Sequence, residues 1–110
     1  MSAPRVTSAL FVSALLRRVQ SMGGMGVVVA RGFDTAGAVH VEWRHRGAVG
    51  LLVPAVTMDD DGERRFTPSP AEGEREVAER MERERRFDPE AWHVEIEGVD
   101  PREVLLVVGD

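Results

Sequence analysis

Two short stretches constrain this chain more than anything else in it. VHVEWR (39–44) and WHVEIE (92–97) each alternate apolar and polar residues with period two. Successive side chains on a strand point to opposite faces, so the pattern sets Val39, Val41 and Trp43 on one face, and likewise Trp92, Val94 and Ile96. The other faces carry His40, Glu42 and Arg44, and His93, Glu95 and Glu97. Such alternation predicts antiparallel strands that are solvated on one side. The apolar side must then be covered by another layer.

The cover is predicted in TSALFVSALLRRVQSMGG (7–24). Ser13, Arg17, Gln20 and Ser21 fall on one stripe at helical spacing. Leu10, Phe11, Val12, Leu15, Leu16, Val19 and Met22 fill the rest, which predicts a helix with a wide buried face. Thr7 or Ser8 caps its start, and Gly23-Gly24 ends it. MGVVVAR (25–31) reads as a mostly buried strand. AVGLLVPAV (48–56) follows a turn at Gly47, and Pro54 places it at a sheet edge or ends it there. Asp61-Gly62 signals a hairpin, with a short returning strand near Arg64–Phe66. Ser69, Pro70 and Glu72 carry the marks of a helix start, which Gly73 pushes later. That helix is highly charged, with Val77, Ala78 and Met81 as a narrow apolar stripe. Glu76–Arg80, Glu79–Arg83 and Glu82–Arg86 are spaced for ion pairs along it. Phe87 is expected to bury as the helix ends, and Asp88-Pro89 stops it before the Trp92 strand. Asp100-Pro101-Arg102-Glu103 reads as a cap, yet VLLVV prefers a strand, so the tail stays open between the two.

The expected fold is therefore α+β. It holds an N-terminal helix, an antiparallel sheet of about four strands, a charged surface helix and a final strand, with both helices on one face. A chain of 110 residues reads as one domain. Residues 5–98 form its core, and 99–110 a C-terminal segment of open structure.

Composition removes several functions. There is no Cys, Lys or Tyr, so thiolate metal sites, Schiff-base or P-loop lysines and a Tyr acid are excluded. All fourteen basic residues are Arg, and the net charge of −5 argues against nucleic acid and anionic membranes as partners. No apolar run near the N-terminus is long enough to span a bilayer, no signal peptide is expected, and the lack of Cys fits a cytoplasmic setting.

Three constellations remain. If the two alternating strands lie side by side, His40, Glu42, His93 and Glu95 share one surface, and two His with carboxylates can hold a catalytic divalent metal. Equally, these are the ordinary polar faces of a half-exposed sheet. Asp34 with Glu42 and Arg44 loosely matches the carboxylates and cation of metal-dependent nucleases. Arg80, Arg83, Arg85 and Arg86 alternate with glutamates, as a solvated helix face does. The Asp59–Gly62 run fails as a calcium loop, because with Gly62 sixth the twelfth position is Pro68. Gly24 and Gly26 precede their strand, whereas a phosphate cradle follows one.

Three blocks taken in order, VSALLRRVQSMG (12–23), ARGFDTAGAVHVEW (30–43) and RRFDPEAWHVEIEG (85–98), resemble a family of small alphaproteobacterial proteins filed as a domain of unknown function. Phe33 before Asp34, and the tail after Gly98, depart from the family pattern. The resemblance implies the fold and a cytoplasmic setting, and no activity. The leading expectation is a non-enzymatic binding or adaptor domain. It would engage a protein partner or a second copy through the exposed sheet face or the edge near Pro54. The alternatives are a metal-dependent hydrolase on His40, Glu42, His93 and Glu95, and a nuclease-like domain on Asp34, Glu42 and Arg44.

Overall fold

The computed structural model describes residues 6–56 and 63–109. Along the chain run α1 (Ser8–Ser21), β1 (Met25–Ala30), β2 (Val39–His45), β3 (Ala48–Pro54), β4 (Arg65–Glu72), α2 (Gly73–Phe87), β5 (Trp92–Glu97), a 3₁₀ turn (Pro101–Glu103) and β6 (Leu106–Val107). The sheet has six strands in the order β1-β5-β2-β3-β4-β6. It is mixed, not the four-stranded antiparallel sheet expected: β2 pairs in parallel with β5, and β4 with β6. The α+β class stands.

Local chemistry explains most boundaries. Thr7 caps α1, its hydroxyl accepting from the Leu10 amide at 3.2 Å. Gly23 leaves the helix at φ +88, a conformation that suits glycine. Arg46 and Gly47 both take positive φ, 52° and 81°, so they form the two-residue turn that joins β2 to β3. β3 ends at Pro54 as predicted, but it is an inner strand between β2 and β4. The Asp61-Gly62 hairpin signal lies outside the described residues. β4 is longer than expected and runs through the Ser69-Pro70 motif, because Gly73 with φ +85 is where the chain turns into α2. In the tail both readings hold: Asp100 caps a 3₁₀ turn, and Leu106–Val107 then joins the sheet.

The two helices lie on opposite faces, which corrects the expectation that they share one. α1 buries Val12, Leu15 and Val19 against Val39, Val41, Leu52, Val94 and Ile96. α2 buries Val77 and Met81 against Leu51, flanked by Val49 and Val53. Leu51 pairs with Glu42, and Leu52 with Val41, so the two clusters occupy different faces. The connection from β4 through α2 to β5 is thus a crossover above the polar face of β2.

Four further expectations change. Leu10 at 62% and Met22 at 41% exposure narrow the buried face of α1. β1 is a sheet edge, and Met25, Val27 and Val29 are 71%, 50% and 52% exposed. Phe87 is 90% exposed, because at ~100° per residue it sits well round the helix from Val77 and Met81. Of the predicted helix pairs only Glu82–Arg86 forms; Arg80 takes Glu84 and Arg75 takes Glu79.

The loop before β2 fastens the layers. The Phe33 amide donates to the Glu90 carbonyl, and the Trp92 indole donates to the Phe33 carbonyl, each at 2.9 Å. The first amides of α1, from Ser8 and Ala9, donate to the Thr35 and Asp34 carbonyls. Arg85 reaches the Ala91 and Arg31 carbonyls from the end of α2. A Cβ on Gly32 or Gly37 would strike the Glu90 carbonyl, so this junction closes only on glycine. Among the described residues no helix is long and apolar enough to cross a membrane.

Leu15 is 4% exposed at the centre of the α1 contact. Leu15→Ala is expected to lower unfolding free energy by about 2–5 kcal/mol, while Leu10→Ala changes it by less than about 1 kcal/mol. Urea denaturation followed by circular dichroism separates the two, and equal losses would overturn the assignment of faces.

Candidate functional site

β2 and β5 lie side by side with His40 opposite His93, Glu42 opposite Glu95 and Arg44 opposite Glu97. All six polar residues therefore share one face. The face is solvated only at one end: α2 passes over the other and buries His40, Glu42 and His93, while Arg44 and Glu95 are half-buried and Glu97 is exposed.

Glu42 is the centre of the arrangement. Its Oε1 lies 2.9 Å from His93 Nε2, and its Oε2 accepts from Arg44 Nη2 at 2.9 Å. A carboxylate only accepts, so His93 Nε2 carries the proton in this contact. The same Arg44 Nη2 donates to Glu74 Oε1 on α2 at 3.0 Å. Arg44 Nε stands 3.3 Å from Glu95 Oε1. One guanidinium thus ties its own strand to the neighbouring strand and to the helix above. The hydrogen bond from His93, and then Arg44, hold the Glu42 carboxyl below its ordinary range, against burial acting the other way. Glu74 and then Glu42 hold Arg44 still more firmly in its charged form.

His40 is differently placed. Its Nε2 is 3.8 Å from Glu84 Oε2 on α2. Arg80 donates to Glu84 Oε1 at 2.8 Å and to the Ser69 hydroxyl at 2.9 Å, which bridges α2 to β4. Burial pushes the His40 imidazole below its ordinary value; Glu84 opposes that shift and Arg80 adds to it. His40 is therefore neutral at pH 7. Its Nδ1 is buried without a well-formed hydrogen bond, and the Trp92 backbone beside the ring opposes the downward shift.

The four predicted metal ligands are thus neighbours, but they do not turn to a common point: His93 and Glu42 pair with each other, His40 faces Glu84, and Glu95 faces Arg44, which Glu42 also engages. Among the described residues no three His, Asp or Glu converge as a metal site. Of the nuclease-like set, Glu42 and Arg44 meet, while Asp34 pairs with Arg31 in the loop before β2. Glu74, Arg80 and Glu84 were not among the predicted site residues. Their signal was present: Glu74, Val77, Met81 and Glu84 recur at helical spacing on one side of α2. At the Arg44 end the cluster opens on a groove of about 450 Å³ lined by Arg44, His45, Arg46 and Glu97.

Comparison with known proteins points one way. A family described as "Protein of unknown function (DUF1491)" matches residues 6–106. A solution structure of a protein from A. tumefaciens is 42% identical with a TM-score of 0.86, over 96% of this chain and 97% of that one. A crystal structure of a DUF1491 family protein from Caulobacter crescentus is 32% identical with a TM-score of 0.82, over 94% of this chain and 99% of that one. No curated protein matches the chain.

Of the perturbed groups, His40 and Glu42 give the domain a predictable acid response. The unfolded chain takes up a proton at His40 near pH 6.5, while the folded protein does not until lower pH. Stability therefore falls as pH drops below about 6.5. The Glu42 contribution, whole above its ordinary value of 4.5, is lost further down, through its lowered folded pKa. Tm is expected to decline from pH 7 to pH 4, with His40→Leu flattening the upper part of the decline and Glu42→Gln the lower. A wild-type Tm constant over that range would contradict the assignment.

Proposed function

This chain belongs to the DUF1491 family, and we propose on that premise that it is a non-enzymatic cytoplasmic binding or adaptor domain whose partner is a protein. The observation that carries the reading is the contrast between two parts of the polar face. Over β2, the acid–base groups are engaged with one another beneath α2 as an ion cluster, and the groove at its Arg44 end is lined by Arg44 and Glu97 and not by His40, Glu42 or His93. On β1, by contrast, Met25, Val27 and Val29 stand exposed, the first two in the regular part of the strand. An apolar edge strand of this kind is a pairing surface. The sheet ends at β1 and at the two-residue β6, not near Pro54, since β3 is an inner strand, and β1 is the longer of the two ends.

The metal reading of His40, Glu42, His93 and Glu95 is supported by their shared face alone. It requires Glu42 to leave both His93 and Arg44. A rise in Tm on titration with Zn²⁺, abolished by His93→Ala, would favour it over the binding reading.

For the binding reading, the immobilised protein is expected to retain a defined set of host proteins that the Val27→Arg variant loses. Val27 is half exposed, so the variant keeps its fold. Retention that is absent, or indifferent to the substitution, would overturn the proposal.

A further inference from the structure

We infer that the free edge of β1 takes up an extended, basic segment of a partner protein as a seventh strand. The inference rests on the binding-domain reading above and names the partner's chemistry.

The backbone comes first. β1 pairs with β5 on one side only, and it ends the sheet. The peptide groups along its outer side are donors and acceptors without a strand to answer them, and an extended chain meets that demand in a way a helix cannot. Natural edges are often blocked by a charge or a proline, but MGVVVA has neither. An irregularity between Val28 and Ala30 bends the far end, so the regular part is Met25–Val28.

The side chains then choose the partner. The two faces of β1 are not equivalent. Gly26 and Val28 lie opposite Ile96 and Val94, on the α1 face, and a Cβ at Gly26 would strike Leu16. Met25 and Val27 lie opposite Glu97 and Glu95, on the face that α2 leaves open here. An added strand would rest apolar side chains beside Met25 and Val27. Two strand spacings, ~10 Å, separate it from Glu95 and Glu97, which is within the joint reach of a Glu and a long basic side chain. At the other end Arg31 is cationic and pairs with Asp34, so the basic residues belong at the Met25 end.

Charge argues against a second copy as the occupant. A two-fold axis through β1 would set Glu95 and Glu97 of both copies along one seam. Each chain also carries a net charge of −5. Like charges so placed oppose pairing, while a basic strand relieves them.

The test uses the ¹⁵N-labelled full chain and two synthetic ten-residue peptides, one alternating valine with lysine and one alternating valine with glutamate. The lysine peptide is expected to shift the amides of Met25–Ala30, slow their hydrogen exchange about tenfold or more, and bind at least about tenfold tighter than the glutamate peptide. Val27→Lys should remove that binding while leaving the rest of the spectrum unchanged. Shifts centred elsewhere, or equal binding of both peptides, would overturn the basic-strand assignment. Self-association through β1 by sedimentation, with no peptide bound, would overturn it in favour of a second copy. If the peptides fail while retention of host proteins still depends on Val27, strand addition falls and the binding reading stands. If retention is also indifferent to Val27, both fall.

Discussion

The parallel pairing of β2 with β5 is the constraint on which the rest of this structure depends. Two parallel neighbours cannot be joined by a tight turn; the chain must leave the sheet and return. Here it does so through β3, β4 and α2. Because β3 and β4 fold back as antiparallel neighbours, α2 is left to carry the chain over the sheet to β5. It takes the face opposite α1. That single choice turns a polar surface into a buried one and obliges every charge beneath the helix to find a partner.

The partners found are specific in position. Replacing a buried ion cluster by apolar residues is often neutral, but removing one member strands a charge and costs about 3–5 kcal/mol. The cluster around Glu42 therefore acts less as a source of stability than as a selector of register. A one-residue slip of β5 against β2 would turn His93 and Glu95 to the α1 face and Val94 beneath the helix. Glu42 and Arg44 would lose the neighbouring strand's contribution, and two ionisable groups would enter the apolar core. α2 is held in the same manner. Its apolar contact is little more than Val77 and Met81 on Leu51, so Glu74 on Arg44 and Arg80 on Ser69 fix where along the sheet it rests.

The sequence made the local elements legible and left their arrangement hidden, for identifiable reasons. Capping at Thr7, the glycine stop after α1, the turn at Gly47 and the joint at Asp88-Pro89 are decided within a few residues, and each is where the pattern put it. The family resemblance was carried by blocks that meet in space: Phe33 and Gly37 from one pack on Glu90 and Trp92 from another. Apart from local misreadings such as the helix start expected at Ser69-Pro70, where β4 runs on to Glu72, the main errors concern neighbours. Period-two alternation says that one face is polar, and it cannot say whether water or a charged helix answers that polarity. His40 and Glu42 were therefore read as solvated. Conversely the apolar run of β1 was read as buried, although its outer half meets no layer. The candidate site was legible as a set of residues on one face, and illegible as an ion network, because Glu74, Arg80 and Glu84 come from a helix that begins only at Gly73, two strands after β2 ends at His45.

The open patch on β1 follows from how few layers the chain has to spend. A helix is ~10 Å across, while six strands spaced ~4.8 Å apart make a sheet more than twice as wide. One helix on each face cannot cover it. α1 covers the β1, β5 and β2 side of its face, and Phe66, Val104 and Leu105 complete that face toward β4. On the opposite face α2 covers β3 and β4 and overhangs β2, and nothing among the described residues follows it over β5 and β1. Three of the four quarters are thus closed. In the fourth, β5 presents Glu95 and Glu97, the expected solution for water, whereas β1 presents Met25, Val27 and Val29. Had that quarter been shaped for solvent alone, β1 would alternate with charge as β5 does. In β1 the apolar side chains that lack a layer belong to a strand whose backbone also lacks a neighbour on one side, and both deficits are answered by the same kind of occupant.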